Sequence, residues 1–147
     1  KLISKNSIVK EQCLNIDIAP TILDLAGVKK PSYMQGESMV KLISGKKDKS
    51  WRKSMLFEYY VDDAWPYAGP DQVAVRTSKY KLIDNFLNDD IDELYDLIND
   101  PGEMYNLIND DNFNLIERDL RQESKKLQKK YKYNPDRDWW LRKQIKK

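Results

Sequence analysis

The sequence contains no histidine, and it has only one cysteine and five glycines among its 147 residues. Without histidine, the chain cannot form a Ser-His-Asp or Cys-His catalytic site or an HExxH zinc helix. A single cysteine excludes an internal disulfide and any metal site that needs several cysteines. Consecutive glycines are at least nine residues apart, so glycine-rich phosphate-binding loops of the GxGxxG and Walker A types are excluded as well.

Long hydrophobic runs are also missing. No stretch approaches the roughly 18 uninterrupted apolar residues that span a bilayer, so no membrane-spanning segment is expected. The chain starts with Lys1 rather than methionine, and no apolar signal segment follows it. We therefore expect this sequence to be part of a longer protein, with any targeting signal lying outside it.

The formal net charge of +2 hides a strong asymmetry along the chain. Segment 84–103 has eight acidic residues and no basic one, whereas segment 125–147 has ten basic residues and two acidic ones. Either the acidic segment and the basic tail contact each other, or the tail binds an anionic partner. The simpler interpretation is a solvated helix face formed by Lys125, Lys126, Lys129 and Lys130, with the tryptophans of the tail, Trp139 and Trp140, packed against the protein.

Two short helices are predicted in the N-terminal third. Asp17 stands where its carboxylate can cap a helix over residues 18–26, and Gly27 can end that helix. Apolar residues repeat there at steps of three and four, which gives the helix one apolar face. Ser38 is predicted to cap a second helix, which stops at Gly45.

Four short strands are predicted in the middle of the chain. They are rich in aromatic and β-branched residues and cover 55–61, 73–77, 80–85 and 94–98. The short connections between them favour an antiparallel sheet. The turn at 100–103 is predicted to hold Gly102 at a positive φ, with Glu103 in the first turn of the next element.

A long amphipathic helix is predicted from residue 112 onward. Its apolar face is formed by Leu115 or Ile116 together with Leu120, Leu127 and Tyr131, while its other positions are charged. Asn134 and Pro135 are predicted to end it. Short helices, then strands, then a helix place the chain in the α+β class.

Few side chains are candidates for chemistry. Cys13 is the one available thiol, and without a histidine to activate it a structural role is the simpler interpretation. Arg76 lies near a strand end, where its planar guanidinium could bind two oxygens of a sulfate. Alternatively, Arg76 forms an ion pair with Glu58 on a neighbouring strand and no ligand is involved.

Three separated phrases resemble one family, the sulfatases of the alkaline phosphatase superfamily. They read NIDIAPTILDLAGV at 15–28 with QGES at 35–38, VRTSKYKLI at 75–83, and ELYDLINDPGE at 93–103 with Asn106 and Leu107 after it. Their order and separation also fit, so the resemblance covers about residues 1–135. It implies the C-terminal end of such an enzyme: residues 1–50 would end the catalytic α/β domain. Residues 51–147 would form a smaller subdomain, in which about four antiparallel strands pack against a C-terminal helix.

The resemblance also implies where the catalytic machinery lies. Whole sulfatases use a formylglycine, made from cysteine or serine within a C/S-x-P/A-x-R motif, and a bound calcium. Cys13 is followed by LNID and does not fit that motif, and Asp17 is interpreted as a helix cap. No catalytic or metal residue can be assigned here, so calcium and formylglycine are expected in the whole enzyme and no cofactor in this part.

The predicted function is therefore the non-catalytic C-terminal part of a sulfatase, packing on a missing catalytic domain and shaping its substrate cleft. The predicted substrate contacts are in the 60–71 loop and on the following strand: Asp62, Asp63, Trp65, Tyr67 and Arg76. The expected partners are the catalytic domain and a sulfated carbohydrate, not a membrane or a nucleic acid. By resemblance, the whole enzyme would be periplasmic or secreted.

Two alternatives remain open from the sequence. One is a stand-alone module that binds an anionic polymer, either a sulfated glycan or a nucleic acid, through the basic tail. The other is a phosphonate or phosphate ester hydrolase of the same superfamily. Unlike a stand-alone module, a sulfatase fragment would expose apolar surface between Ile18 and Val28, where the missing domain packs.

Overall fold

A computed structural model describes residues 8–59, 72–85 and 91–133, together with Ile3. The described residues form three helices and four strands, with 3₁₀ turns at Asn15–Asp17 and Asp111–Phe113. The helices are α1 (Ile18–Leu25), α2 (Val40–Ile43) and α3 (Asn114–Tyr131). The strands are β1 (Ser54–Tyr59), β2 (Gln72–Thr77), β3 (Tyr80–Asp84) and β4 (Glu93–Asp96). The predicted α+β class is confirmed.

The four strands form one antiparallel sheet in the order β1-β2-β3-β4. The predicted hairpin between β2 and β3 turns at Ser78 and Lys79. There the Thr77 hydroxyl oxygen accepts hydrogen bonds from the backbone N–H groups of Lys79 and Tyr80, at 3.1 and 2.8 Å. Strands that follow one another in the chain are thus neighbours in the sheet, as short connections require.

Helix α3 covers one face of the sheet and completes the core. Leu120 and Leu127 of α3 pack against Val75, Leu82 and Leu94 of the strands, all of them buried. Burying a side chain of this size contributes about 1.5–3 kcal/mol, so these five side chains are a main source of stability for the packing of α3 on the sheet. The apolar face of α3 is therefore the one that its sequence predicted.

Two details of α3 differ from the prediction. Ile116 packs against the core, whereas Leu115 is 65% exposed, which decides between the two residues. The helix ends at Tyr131 rather than at Asn134 and Pro135, because Lys132 adopts a left-handed conformation with φ of 55°. A left-handed residue at this position lets the following N–H groups bond back to the last carbonyls of the helix.

The two N-terminal helices agree closely with the prediction. Helix α1 ends at Leu25, and Gly27 after it has φ of +70°. Helix α2 ends at Ile43 and is followed by Gly45 at φ of +76°. The Ser38 hydroxyl oxygen accepts a hydrogen bond from the Val40 N–H at 3.2 Å, at the start of α2. No described helix is both long and apolar enough to cross a membrane.

The prediction for the turn at 100–103 is wrong in its backbone detail. The residue with a positive φ is Glu103, at 53°, and Gly102 is not in that region. Glu103 does not begin a new helical turn, because its backbone is left-handed, and its carboxylate forms an ion pair with Lys81 of β3. This ion pair connects the turn to the sheet.

Candidate functional site

The carboxylate of Asp17 is the centre of a hydrogen-bond network that joins several segments. Asp17 is 0% exposed, and its oxygens accept hydrogen bonds from both terminal nitrogens of Arg52, with Nη2 2.6 Å from Oδ1. They also accept from the backbone N–H groups of Leu14 and Glu37, both at 2.8 Å. A two-pronged guanidinium–carboxylate pair of this kind is among the stronger polar contacts in proteins. It fastens the N-terminal helices to the segment that leads into β1.

The predicted capping role of the Asp17 side chain is therefore wrong. Asp17 does stand at the first position before α1, but its side chain forms no hydrogen bond with the first turn of that helix. A capping residue normally has an extended backbone, whereas the backbone of Asp17 is already helical, with φ of −82° and ψ of −15°. Its carboxylate consequently points to Arg52.

The loop before α2 is held against the start of α1 by backbone contact. The Thr21 hydroxyl donates to the Asp17 carbonyl oxygen at 2.6 Å and accepts from the Met39 N–H at 2.9 Å. The backbone at Gly36 lies so close to the backbone at Ile16 that a Cβ added to Gly36 would be 1.9 Å from the Ile16 carbonyl oxygen. Only glycine can occupy this position without a backbone shift.

The buried ion pair alters both pKa values. Burial on its own raises the pKa of Asp17, but hydrogen bonds from Arg52, Glu37 and Leu14 outweigh burial and hold that pKa below its usual value. The hydrogen bond to Asp17 raises the pKa of Arg52, against the effect of burial. Both groups are therefore charged throughout the physiological range.

The lowered pKa of Asp17 predicts a loss of stability in acid. A carboxyl group whose pKa is lower in the folded chain stabilises the fold above its unfolded value of about 3.9, and this contribution is lost as the pH falls through the folded-state pKa. Urea unfolding measured between about pH 7 and pH 2.5 should show a smaller decline below pH 5 for Asp17→Asn than for the wild type. Equal slopes in the two proteins would contradict this role of Asp17.

Helix α1, together with Val28 just after it, presents an apolar surface that nothing in the described structure covers. Four residues spaced three or four apart, which we call the docking stripe, are exposed: Ile18 by 53%, Ile22 by 60%, Leu25 by 52% and Val28 by 52%. The opposite side of the helix is anchored, since Pro20 and Thr21 are buried. The expected apolar exposure between Ile18 and Val28 is confirmed. Contiguous exposed patches of this kind mark interaction sites more often than isolated apolar residues do.

Arg76 lies on the face of the sheet that points away from α3. It is paired in register with Met55 and Lys81, whereas the neighbouring Val75 faces α3 in the core. Glu58 is paired with Val73 and is therefore on the α3 face. The alternative in which Arg76 forms an ion pair with Glu58 is wrong, because an offset of three residues puts the two side chains on opposite faces.

The other predicted substrate contacts, Asp62, Asp63, Trp65 and Tyr67, lie outside the described residues. The segment that carries them joins Tyr59 at the end of β1 to Gln72 at the start of β2. Arg76 is four residues further along β2, which corresponds to roughly 13 Å of extended strand. The structure thus places Arg76 toward the hairpin end of β2, and the grouping of these five residues stays a prediction.

Neither a reactive thiol nor a metal centre occurs among the described residues. Cys13 is exposed, and partial burial together with the nearby charge of Asp17 raises the pKa of its thiol, which opposes thiolate formation. In the described ranges, no three Asp, Glu or Cys side chains are grouped so that they could hold a metal ion. The described residues therefore do not fit a calcium site, which needs six to eight oxygen ligands.

Part of the acidic segment is neutralised by α3. Arg121 of α3 donates to Asp92 at 2.6 Å and to Glu117 at 2.7 Å, and its guanidinium is 3.8 Å from Asp84. The acidic strand region therefore contacts the C-terminal helix α3. The contact is made by Arg121, which precedes the basic segment 125–147, so the two charge interpretations of that segment stay predictions.

Comparison with known proteins identifies relatives across most of the chain. Residues 1–130 match the family described as N-sulphoglucosamine sulphohydrolase, C-terminal. An N-acetylglucosamine-6-O-sulfatase of Bacteroides thetaiotaomicron is 37% identical over 140 residues, which are 92% of this chain and 25% of that protein. This chain therefore spans about a quarter of the length of that relative.

Solved structures are also similar to most of this chain, and the similar region is about a quarter of each of them. A protein in complex with its substrate D-glucosamine-2-N,6-O-disulfate is similar with a TM-score of 0.74 and 36% identity, over 81% of this chain and 24% of that one. A phosphonate monoester hydrolase of Agrobacterium radiobacter has a TM-score of 0.67 at 22% identity, over 78% of this chain and 24% of that one. The latter likeness concerns the fold alone.

Proposed function

Because the chain belongs to the family of C-terminal domains of N-sulphoglucosamine sulphohydrolase, we propose that it is the non-catalytic C-terminal part of a sulfatase. In the complete protein, meaning this chain together with the N-terminal part that such relatives carry, it would pack on the catalytic domain. The substrate would be a sulfated amino sugar, hydrolysed at a sulfate ester or a sulfamate. Support for that substrate class comes from the relatives, which are named for N-acetylglucosamine and glucosamine sulfates.

The main support for packing on a catalytic domain is the docking stripe. Its four aliphatic side chains are about half exposed, and covering them would contribute on the order of several kcal/mol. The occupant is the N-terminal part of the same protein, because the matched family is a C-terminal one and the relatives are about four times as long as the matched segment. Residues 1–50 would then complete the catalytic domain, and residues 51–147 would form the attached subdomain.

A charge placed in the docking stripe tests the packing role. In the complete protein, Ile22→Glu should destabilise the folded enzyme by about 2–3 kcal/mol, because a carboxylate would be buried against an apolar surface. The matched control is Leu115→Glu on α3, at a side chain that is 65% exposed and lies outside the stripe. Thermal unfolding of the two variants should differ by several degrees, and equal melting temperatures would contradict the packing role.

The catalytic centre would be supplied by the N-terminal part. Formylglycine and calcium are expected there, and we assign no residue of this chain to either group because the described residues lack a suitable set of ligands. Cys13 is not a candidate for conversion to formylglycine, since the following residues lack the required proline or alanine and arginine. The chain's own contribution would be structural and would extend to the wall of the substrate cleft.

The 60–71 loop is the proposed part of that wall. Trp65 and Tyr67 could stack on a sugar ring, and Asp62 and Asp63 could bond to its hydroxyl groups. In the complete protein, Trp65→Ala should lower kcat/KM for a sulfated oligosaccharide by about tenfold, because one stacking contact is worth roughly 1–2 kcal/mol. Tyr33→Ala, a change at an exposed aromatic residue elsewhere, is the control. Unchanged kcat/KM across all substrates would refute this role of the loop.

A further inference from the structure

We propose that the chain contains an anion-binding site, a basic cleft that holds a sulfated glycan chain. The cleft lies between the segment leading into β1 and the C-terminal half of α3, and its volume is about 510 Å³. Five basic side chains line it: Lys49, Arg52, Lys53, Lys126 and Lys130. The proposal rests on the proposed function for the nature of the polymer, and on the described residues for the site.

The charges of the cleft do not cancel. Arg52 is neutralised by Asp17, and Lys126 is 3.3 Å from Glu123, the one carboxylate among the described residues of the lining. That carboxylate also accepts a hydrogen bond from the Ser54 hydroxyl at 2.6 Å. Lys49, Lys53 and Lys130 form no ion pair with any described residue. Three lysines without an ion-pair partner among the described residues therefore line one concave surface.

The framework of the cleft is rigid on both sides. Trp51 is buried, and its indole N–H donates to the Gln12 carbonyl oxygen at 3.0 Å, which fixes the strand-entry side. Leu127 of α3 belongs to the hydrophobic core, and this fixes the positions of Lys126 and Lys130 on the helix side. Charged side chains on fixed supports lose less entropy on binding than the same side chains on a loose loop.

The character of the lining favours a sulfated glycan over a nucleic acid. Nucleic-acid-binding grooves combine basic residues with aromatic rings that are free to stack on bases. Here the Trp51 ring is buried beneath the Arg52 guanidinium, 4.8 Å from its centre, and Tyr131 is covered by Lys130 at 5.0 Å. Lysines act as point charges toward sulfate oxygens, and four of the five basic residues in the lining are lysines.

The test compares two triple variants of the complete protein that have the same change of charge. The cleft variant is Lys49→Glu, Lys53→Glu and Lys130→Glu, and the control is Lys10→Glu, Lys29→Glu and Lys46→Glu, three exposed lysines outside the lining. Calorimetric titration with a heparin octasaccharide at about 0.1 M salt is expected to show affinity reduced about tenfold or more in the cleft variant only. The wild-type affinity should fall steeply as salt is raised.

Three results would overturn the proposal. The first is an equal loss of affinity in both variants, which would indicate general electrostatic attraction. The second is failure of the wild type to bind the octasaccharide, and the third is tighter binding of single-stranded oligonucleotide by the same lysines. Sulfate release from a glucosamine sulfate is measured separately on the same preparations. Absence of hydrolysis would refute the proposed function, while the octasaccharide titration alone decides on the cleft.

Discussion

Replacing Asp17 by alanine is expected to lower the free energy of unfolding by about 3–5 kcal/mol. The substitution leaves the Arg52 guanidinium charged, with its side chain only 10% exposed, and without its partner. It also removes the acceptor for the N–H groups of Leu14 and Glu37, and unpaired buried donors cost roughly 1–3 kcal/mol each. Urea unfolding followed by circular dichroism measures the change.

The comparison that isolates the buried network is Asp119→Ala. Asp119 is paired with the adjacent Arg118 on the surface of α3, and both side chains are more than 60% exposed. An exposed pair of this kind contributes at most about 1 kcal/mol.

Arg52→Met combined with Asp17→Leu should recover part of the stability lost in Asp17→Ala, because both charges are then removed together. Similar losses in Asp17→Ala and Asp119→Ala would contradict the assigned role of the network.

Replacing Gly36 by alanine is expected to destabilise the chain by about 2–3 kcal/mol. The added Cβ would lie 1.9 Å from the Ile16 carbonyl oxygen and 2.5 Å from its carbon. Both are backbone atoms, so the clash cannot be relieved by rotation of a side chain. The loop before α2 would have to move away from α1, and the Glu37 N–H bond to Asp17 would be stretched.

Gly102→Ala is the matched control for Gly36→Ala. At Gly102 the nearest atom to an added Cβ is 3.5 Å away, in the side chain of Met104, and φ is not positive. Alanine there should leave stability unchanged or raise it by a few tenths of a kcal/mol, because the unfolded chain loses conformational freedom. If the two alanine variants unfold at the same urea concentration, the close approach at Gly36 is not a constraint.

The elements of the fold were predictable because their signals are local. Aromatic and β-branched residues identified all four strands to within about two residues at the described ends, and the apolar period of α3 gave the face that packs on the sheet. Gly27 and Gly45 marked the helix ends, since both have the positive φ that glycine tolerates. The sequence did not show whether Leu115 or Ile116 faces the core, because either residue fits the apolar spacing of the helix almost equally well.

The central polar network was not predictable, because it depends on contacts distant in sequence. Asp17 and Arg52 are 35 residues apart, and a carboxylate directly before a helix fits a capping role equally well. The sequence signal that could have identified Arg52 is its position directly after Trp51 and shortly before the first predicted strand. Likewise, the pairing of Arg76 with Met55 rather than Glu58 depends on the register between β1 and β2, which no local pattern determines.

The candidate docking stripe was anticipated, whereas the basic cleft was missed. The period of α1 indicates an apolar face from residues close in sequence. The cleft instead combines lysines of the 49–53 segment with lysines of α3, about 75 residues later, and only the packing of α3 on the sheet brings them together. The sequence-level interpretation placed the α3 lysines on a solvated helix face, which remains compatible with their exposure.

Thiol labelling at position 22 tests most directly whether this chain packs on a catalytic domain. The complete protein would be prepared as Cys13→Ser with Ile22→Cys and, as the reference, Cys13→Ser with Leu115→Cys; both sites are at least 60% exposed in the described structure. Packing predicts that a maleimide reacts about 100-fold more slowly at position 22 than at position 115 in the native protein, and equally fast at both in urea. Equal rates at the two positions in the native protein would contradict the docking of α1 on a catalytic domain.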